Sequence, residues 1–181
     1  MELIDNKIYF IVKEYEKLKE EQNKRIEFRD NMIYITLGVI GSVFSFILEK
    51  PDLKIALLVL PFVCIVLGWT YLMNDEKTSE IGSYLKDILI PKIEKSKSDA
   101  SLNVIPNWED YHRNTSNRTK NKIIQLIIDL ALFSISALFS IFLFLYLSGD
   151  KSCFQIILAG AEVVLIIFLA FQFILASRIN K

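Results

Sequence analysis

The sequence predicts an all-α fold, a four-transmembrane-helix bundle with a small helical cytoplasmic cap, and three observations predict it. Of its 181 residues 52% are hydrophobic, and its mean hydropathy of +0.37 is high for a soluble domain of this length. Four apolar runs approach or exceed the roughly 20 residues that a helix needs to cross a bilayer core of about 30 Å. Most Lys and Arg residues lie outside the two short loops between paired runs.

The composition also excludes several classes of protein. The 21 Lys and Arg residues balance 21 Asp and Glu residues, so no basic excess is present to neutralise nucleic-acid phosphates. Two Cys and one His exclude a disulfide-stapled scaffold and give too few ligands for a zinc site. We therefore expect no nucleic-acid partner, no metal and no cofactor.

The predicted spans are residues 32–48, 55–73, 123–147 and 153–176. The alternative is a soluble helical bundle, whose helices should each carry a charged face. The first two spans contain no charged residue and the last two contain one each. In the third span, seventeen Leu, Ile or Phe residues, each worth about −0.3 to −0.6 kcal/mol on insertion, outweigh one acid costing about 3 kcal/mol. The membrane interpretation is therefore favoured.

The distribution of positive charge predicts the orientation. Eighteen Lys and Arg residues lie in the two terminal segments and the central segment, against three in the short connections. By the positive-inside rule, both termini and the central segment are cytoplasmic in a multi-pass cell-membrane protein. The predicted organisation is a cytoplasmic amphipathic helix (1–31), a transmembrane hairpin (32–73), a cytoplasmic helical segment (74–122), a second hairpin (123–176) and a cytoplasmic tail (177–181).

The amino-terminal segment, residues 2–29, contains neither Gly nor Pro and is predicted to be helical. Apolar side chains follow one another at steps of four and three, at Ile4, Ile8, Ile11, Tyr15 and Leu18. This seam covers about two and a half heptads, fewer than a confident coiled coil requires. We expect the helix to dock on the protein's own central segment. The alternatives are self-association and the binding of a partner.

The central segment is predicted to hold two short helices. Asn74 or Asp75 can cap the first, which Pro91 should weaken or end. The second is expected from about Asn107. Just before this segment, Trp69 and Tyr71 are typical of an aromatic belt at the membrane interface.

Charged and amide side chains within the spans are the strongest pointers to function. Asp129 and Gln125 lie on the third span, on one stripe with Ser136 and Ser140. Glu162 and Gln155 share a face of the fourth. From the helix rise, Asp129 and Glu162 differ in depth by about 10 Å, so we expect separate positions rather than a pair.

Two interpretations of Glu162 remain open. Burial without a cation should keep its carboxyl protonated near neutral pH. It is then either a neutral donor that locks two helices, for instance to Gln155 or to a hydroxyl of the third span, or a group with an ion, proton or gating role. Asp129 is expected to be mainly structural.

The first two spans each carry a face of small residues. Gly38, Gly41 and Ser45 form this face on the first span. Pro61, Cys64 and Gly68 form it on the second span. Such faces allow close approach of another helix of the same chain or of another subunit. Pro61 is expected to bend its helix.

A polar cluster is predicted at the inner membrane face, where its acids should pair with Arg25, Arg29, Arg113 or Arg118. Its eight members are Arg29, Asp30, Asn74, Asp75, Glu76, Glu109, His112 and Arg113. One His with two neighbouring acids lacks the ligand count and geometry of a zinc site. No nucleophile with a base and an orienting group is recognisable, and no catalytic residue is predicted.

Three strings resemble signature segments of a group of small bacterial four-span membrane proteins. They are Arg29-Asp30-Asn31, the run from Leu67 to Glu76 (LGWTYLMNDE) and the run from Trp108 to Arg113 (WEDYHR). The resemblance covers most of the chain. It implies a bacterial inner membrane and suggests that the inner-face polar residues act together, without placing a catalytic role on any of them.

Three functions are compatible with these observations. The first is a homo-oligomeric, channel-like membrane effector controlled through its cytoplasmic helices. The second is a non-conducting anchor or scaffold for a cytosolic protein partner. The third and weakest is a membrane enzyme. In each, the lipid bilayer is the principal environment.

Overall fold

The protein is almost entirely α-helical in the computed structural model, which describes residues 2–50, 54–96, 118–150 and 152–179. No strand occurs among these residues, so the predicted all-α fold is confirmed. The helices are α1 (Glu2–Glu49), α2 (Val59–Tyr84), α3 (Ile90–Ser96), α4 (Arg118–Asp129), α5 (Ser136–Leu147) and α6 (Cys153–Ile179). A 3₁₀ turn (Lys54–Leu58) precedes α2, and π-helical segments at Leu85–Leu89 and Leu130–Ile135 join α2 to α3 and α4 to α5.

Four of the described helical stretches are long and apolar enough to cross a membrane. They are Tyr9–Glu49, Lys54–Ile93, Lys120–Leu147 and Cys153–Ser177. Each contains one of the spans that the sequence predicts. The four long helices fit a four-helix bundle and are compatible with a multi-pass membrane protein.

The helices extend beyond the apolar runs. No new helix begins at Asn74 or Asp75, so the predicted cap there is wrong. Helix α2 continues through both residues, and Thr78 Oγ donates a hydrogen bond to the Asn74 carbonyl oxygen (2.8 Å). Neither Gly nor Pro interrupts residues 69–81, so the backbone has no local reason to leave the helix.

Pro91 distorts the second long helix without ending it. The π-helical segment Leu85–Leu89 immediately precedes α3, which contains Pro91 and continues to Ser96. A proline removes one backbone donor from a helix, and a local change of hydrogen-bond pattern accommodates that loss. The second helix predicted from Asn107 lies outside the described residues.

The described residues divide into two compact units, one within Met1–Phe28 and Asn74–Thr119 and the other within Arg29–Met73 and Lys120–Lys181. In the first unit, α1 and α2 are joined by side-chain hydrogen bonds. Gln22 donates to the Thr78 carbonyl oxygen (3.1 Å), and Tyr84 donates to the Glu14 carboxylate (2.8 Å). These bonds give the two segments an antiparallel register, as expected for an amino-terminal helix docked on the central segment.

The second unit contains two clusters of buried side chains. The leucine cluster includes Leu57, Leu60, Cys64, Ala137, Ile141, Phe144, Ala159 and Ile166, with Val39 and Val43 of α1 packed against it. The aromatic cluster includes Met32, Tyr71, Leu72, Phe133, Leu169, Phe173 and Ala176. Each cluster draws side chains from all four long helices, which packs them together as a bundle.

The two faces of small residues differ in their packing. A Cβ atom built on Gly68 would lie 2.9 Å from Leu169 Cδ2 and 3.1 Å from Phe133 Cβ, so α2 packs tightly there. At Gly38 and Gly41 of α1, a Cβ atom would meet no described atom within 4 Å. The face on the second span is therefore used within the chain.

Candidate functional site

A buried polar site forms around Tyr71 in the second unit. The Tyr71 side chain is 1% exposed. A buried tyrosine hydroxyl needs a hydrogen-bond partner. Gln125 Nε2 donates a hydrogen bond of 2.6 Å to the Tyr71 hydroxyl oxygen. This part-buried bond joins α2 to α4.

Two charged side chains act on the same tyrosine. The guanidinium carbon of Arg29 lies 5.9 Å from the centre of the Tyr71 ring, a cation–π distance, and Arg29 also pairs with Asp30 at 3.2 Å. Asp129, 6% exposed, interacts electrostatically with the Tyr71 hydroxyl, as Arg29 does. The predicted residues Arg29, Gln125 and Asp129 therefore converge on a residue that was not among the predicted site residues.

Aromatic rings enclose this polar site. The centre of the Tyr71 ring lies 5.3 Å from that of Phe133 and 6.1 Å from that of Phe173. The Phe133 and Phe173 rings stack at 5.9 Å with an interplanar angle of 12°. Because these rings exclude water, the electrostatic interactions with the Tyr71 hydroxyl are stronger than they would be at an exposed position.

The prediction that Tyr71 lies in an interfacial belt is wrong, because the side chain is buried. Its position was detectable, since Cys64, Gly68 and Tyr71 follow one another at steps of four and three along one face of α2. Trp69 is 41% exposed and stacks on Phe168 (6.1 Å, 19°), as expected for an outward-facing ring.

The π-helical segment directly follows Asp129 and changes which residues face the interior. Asp129 and Ser140 are buried, whereas Ser136 is half-buried and the residue Gln125 is exposed overall. A regular helix would keep Asp129, Ser136 and Ser140 on one stripe, as predicted. Gln125 precedes the π-helical segment, so that segment does not explain its exposure. The wider π-helical turn instead directs Phe133 and Ser134 inwards.

Ser140 completes the backbone hydrogen bonding around Pro61. Its hydroxyl donates to the Leu57 carbonyl oxygen at 2.6 Å. Leu57 lies four residues before Pro61, whose nitrogen carries no hydrogen to donate to that carbonyl. The hydroxyl on the third span therefore satisfies a buried backbone acceptor that the proline leaves open on the second.

Glu162 is the second buried acid of the unit. Its side chain is 4% exposed, and its Oε2 atom has no hydrogen-bond partner among the described residues. Gln155, proposed above as its partner, instead accepts a bond from the Ser152 backbone N–H (3.1 Å), while Ser152 Oγ accepts from the Phe154 N–H (3.3 Å). This is a capping arrangement at the start of α6, so Gln155 has a local structural role.

The other predicted site residues are distributed as follows. Asn74, Asp75 and Glu76 lie half-buried on α2 in the first unit. Arg25 donates to Asn74 Oδ1 (3.4 Å) and pairs with Glu21 (2.7 Å). Glu109, His112 and Arg113 lie outside the described residues.

The polar groups in the described part of the second unit can donate and accept hydrogen bonds, and its two buried carboxyl groups can also bind protons. Across the described ranges, no three His, Cys, Asp or Glu side chains group closely enough to hold a metal ion.

The polar groups are buried, while large apolar side chains cover the outside. Phe62, Val164 and Ile167 are each at least 60% exposed. This polarity is the reverse of that of a soluble domain and suits a hydrocarbon environment.

The fold and this site are therefore compatible with the class of multi-pass membrane proteins. In comparisons with protein-family models, curated proteins and solved structures, nothing matches the chain.

Proposed function

We propose that the protein is a non-enzymatic membrane effector with channel-like activity, which acts as a homo-oligomer in a bacterial inner membrane. The observation that carries this proposal is the burial of Tyr71, Asp129 and Glu162 inside a bundle whose exterior is apolar. Ionisable side chains are costly in a membrane, and where they occur they commonly mark a route for ions or protons.

The Tyr71 site supports a controlled rather than an open route. Its members come from all four long helices, because Arg29 lies on α1, Tyr71 on α2, Gln125 and Asp129 on α4, and the stacked Phe173 on α6. A change in the position of one helix therefore alters contacts on the others. In the proposal, the cytoplasmic helices receive the signal that moves them.

The packing of the second unit supports an oligomer. The leucine and aromatic clusters fill the bundle with side chains from all four long helices. A route through the membrane would then form between subunits, or within a subunit whose packing opens on activation. Both termini and the central segment are cytoplasmic in this proposal, as the distribution of Lys and Arg favours.

Ion and proton leak in liposomes tests the proposal. The full chain is reconstituted with an internal pH dye, and separately with potassium-sensitive and sodium-sensitive dyes. We expect leak above that of empty liposomes, and a loss of at least half of it in Glu162→Gln or Asp129→Asn at equal incorporation. A parent protein that leaks no more than empty liposomes, with both variants identical to it, contradicts the proposal.

A second candidate function is a non-conducting anchor for a cytosolic protein. The observation that favours it is an exposed aromatic pair on α1 in the first unit, Tyr9 (58% exposed) and Phe10 (69% exposed), with ring centres 5.9 Å apart. An anchor predicts that a cytosolic protein which co-purifies with the parent is lost in Phe10→Ser and retained in Glu162→Gln and Asp129→Asn. The effector predicts that the leak is sensitive to Glu162→Gln or to Asp129→Asn.

A further inference from the structure

Glu162 lies on the buried face of α6. Ala159, three residues before it, and Ile166, four residues after it, are 4% and 0% exposed and belong to the leucine cluster. Residues three and four apart share one side of a helix, so the Glu162 carboxyl faces the same cluster. Its Oε2 atom has no hydrogen-bond partner among the described residues.

The elements around the leucine cluster offer this carboxyl no charged partner within the predicted spans. Residues 32–48 and 55–73 contain no charged side chain, and Asp129 is the single charged residue of 123–147. Asp129 interacts with Tyr71, a member of the aromatic cluster. At the edge of the bundle, Lys54 Nζ donates to the Leu147 carbonyl oxygen (2.7 Å).

The other polar groups facing the leucine cluster, Cys64 and Ser140, contact partners other than Glu162. Cys64 is its titratable member, and the Cys64 sulfur lies 3.9 Å from Ser136 Oγ. The Ser140 hydroxyl donates to the Leu57 carbonyl oxygen. The remaining members are hydrocarbon side chains, which supply no ligand atoms.

This environment distinguishes a proton from a metal cation. Hard cations such as Mg²⁺ and Ca²⁺ take about six to eight oxygen ligands, whereas a proton needs one carboxylate oxygen. A neutral carboxylic acid is also far cheaper to bury in hydrocarbon than a carboxylate. We infer that Glu162 is a proton-binding site, which takes up and releases a proton within the bundle without coordinating a metal cation. The inference rests on the proposed function, because it names the proton as the species that a buried acid of the proposed route binds.

A hydrophobic carbodiimide tests this inference on the full chain in liposomes. Dicyclohexylcarbodiimide partitions into lipid and reacts with the protonated acid. The carboxyl proton moves to a carbodiimide nitrogen and the carboxyl oxygen bonds to the central carbon, after which the acyl group shifts to nitrogen and no atom leaves. We expect a stable adduct on the Glu162 peptide by mass spectrometry, with a yield that falls as the pH rises. Sodium or potassium chloride in place of choline chloride should not change the yield.

Two variants serve as matched controls. Glu162→Gln should abolish the adduct on this peptide. Glu49→Gln, which changes an exposed acid at the end of α1, should leave the Glu162 adduct unchanged. No adduct on Glu162 at any pH, or protection of Glu162 by sodium or potassium ions, would overturn the inference.

The leak assay separates this inference from the proposed function. Leak that depends on Asp129 but not on Glu162, together with an unlabelled Glu162, overturns the proton site and leaves the effector standing. A labelled Glu162 in a protein that produces no leak supports the proton site and contradicts the effector.

Discussion

At the scale of single residues, Tyr71 holds together groups that are far apart in the sequence. Its hydroxyl accepts a hydrogen bond from Gln125, and its ring makes a cation–π contact with Arg29. Asp129 interacts electrostatically with the same hydroxyl. Tyr71→Phe keeps the ring and removes the hydroxyl, so Gln125 loses its acceptor. We expect a loss of about 0.6 to 2 kcal/mol in the free energy of unfolding, measured in mixed detergent micelles.

Tyr34→Phe is the matched control for this prediction, because Tyr34 is 71% exposed. Its free energy of unfolding should change by less than about 0.5 kcal/mol. Equal effects of the two substitutions would show that the buried hydroxyl has no particular structural role.

Gly68 lies where α2 packs closely against Leu169 and Phe133. An added Cβ would lie 2.9 Å from Leu169 Cδ2 and 3.1 Å from Phe133 Cβ and Cγ, so neighbouring side chains or helices must move. Gly68→Ala should therefore destabilise the bundle by about 1 to 3 kcal/mol. At Gly160 a Cβ meets no described atom within 4 Å, so Gly160→Ala should be neutral or stabilising in the same unfolding assay. If Gly68→Ala is also neutral, α2 does not pack as closely as described.

At the level of helices, the Ser140 hydroxyl on α5 supplies the hydrogen bond that Pro61 on α2 cannot donate to the Leu57 carbonyl oxygen. Ser140→Ala leaves the buried Leu57 carbonyl oxygen without its donor and should cost about 1 kcal/mol of unfolding free energy. In Pro61→Ala the backbone regains an N–H that can bond to the same carbonyl. The cost of Ser140→Ala should then fall towards zero, which a double-mutant cycle measures. Equal costs in the two backgrounds would contradict this account of the proline.

The helices also show how much the sequence predicts. Apolar runs were sufficient for the four spans, because insertion into lipid depends on the summed hydrophobicity of a segment. They were not sufficient for the ends of the helices, since α1 begins well before its apolar run and α2 continues through polar sequence and past Gly82. The π-helical segment after Asp129 was not predictable either, because Leu130–Ile135 contains no Gly or Pro that would mark it in the sequence.

The candidate site was predicted only in part. Depth and charge identified Asp129 and Glu162, and the structure places them in different surroundings. Tyr71 was missed because an aromatic residue at the end of an apolar run fits an interfacial belt equally well. The regular spacing from Cys64 through Gly68 to Tyr71 was the signal of its burial.

At the scale of the whole molecule, the second unit has polar groups inside and hydrocarbon outside. Thr36, Ser134 and Ser140 join the two acids in the interior, while phenylalanine, isoleucine and valine side chains cover the surface. In water, so much contiguous apolar surface would cause aggregation. In lipid the same surface would be solvated, and the proposed route past the buried acids requires that environment.

The accessibility of nitroxide spin labels in liposomes tests this environment most directly. Labels are placed singly at Phe142 and Ile167, each 60% exposed, and at Lys24 in the first unit, after Cys64→Ala and Cys153→Ala. Oxygen concentrates in the bilayer interior, whereas a neutral nickel chelate concentrates in water. We predict high oxygen and low nickel accessibility at Phe142 and Ile167, and high nickel accessibility at Lys24. Nickel accessibility at Phe142 and Ile167 as high as that at Lys24 would contradict the account.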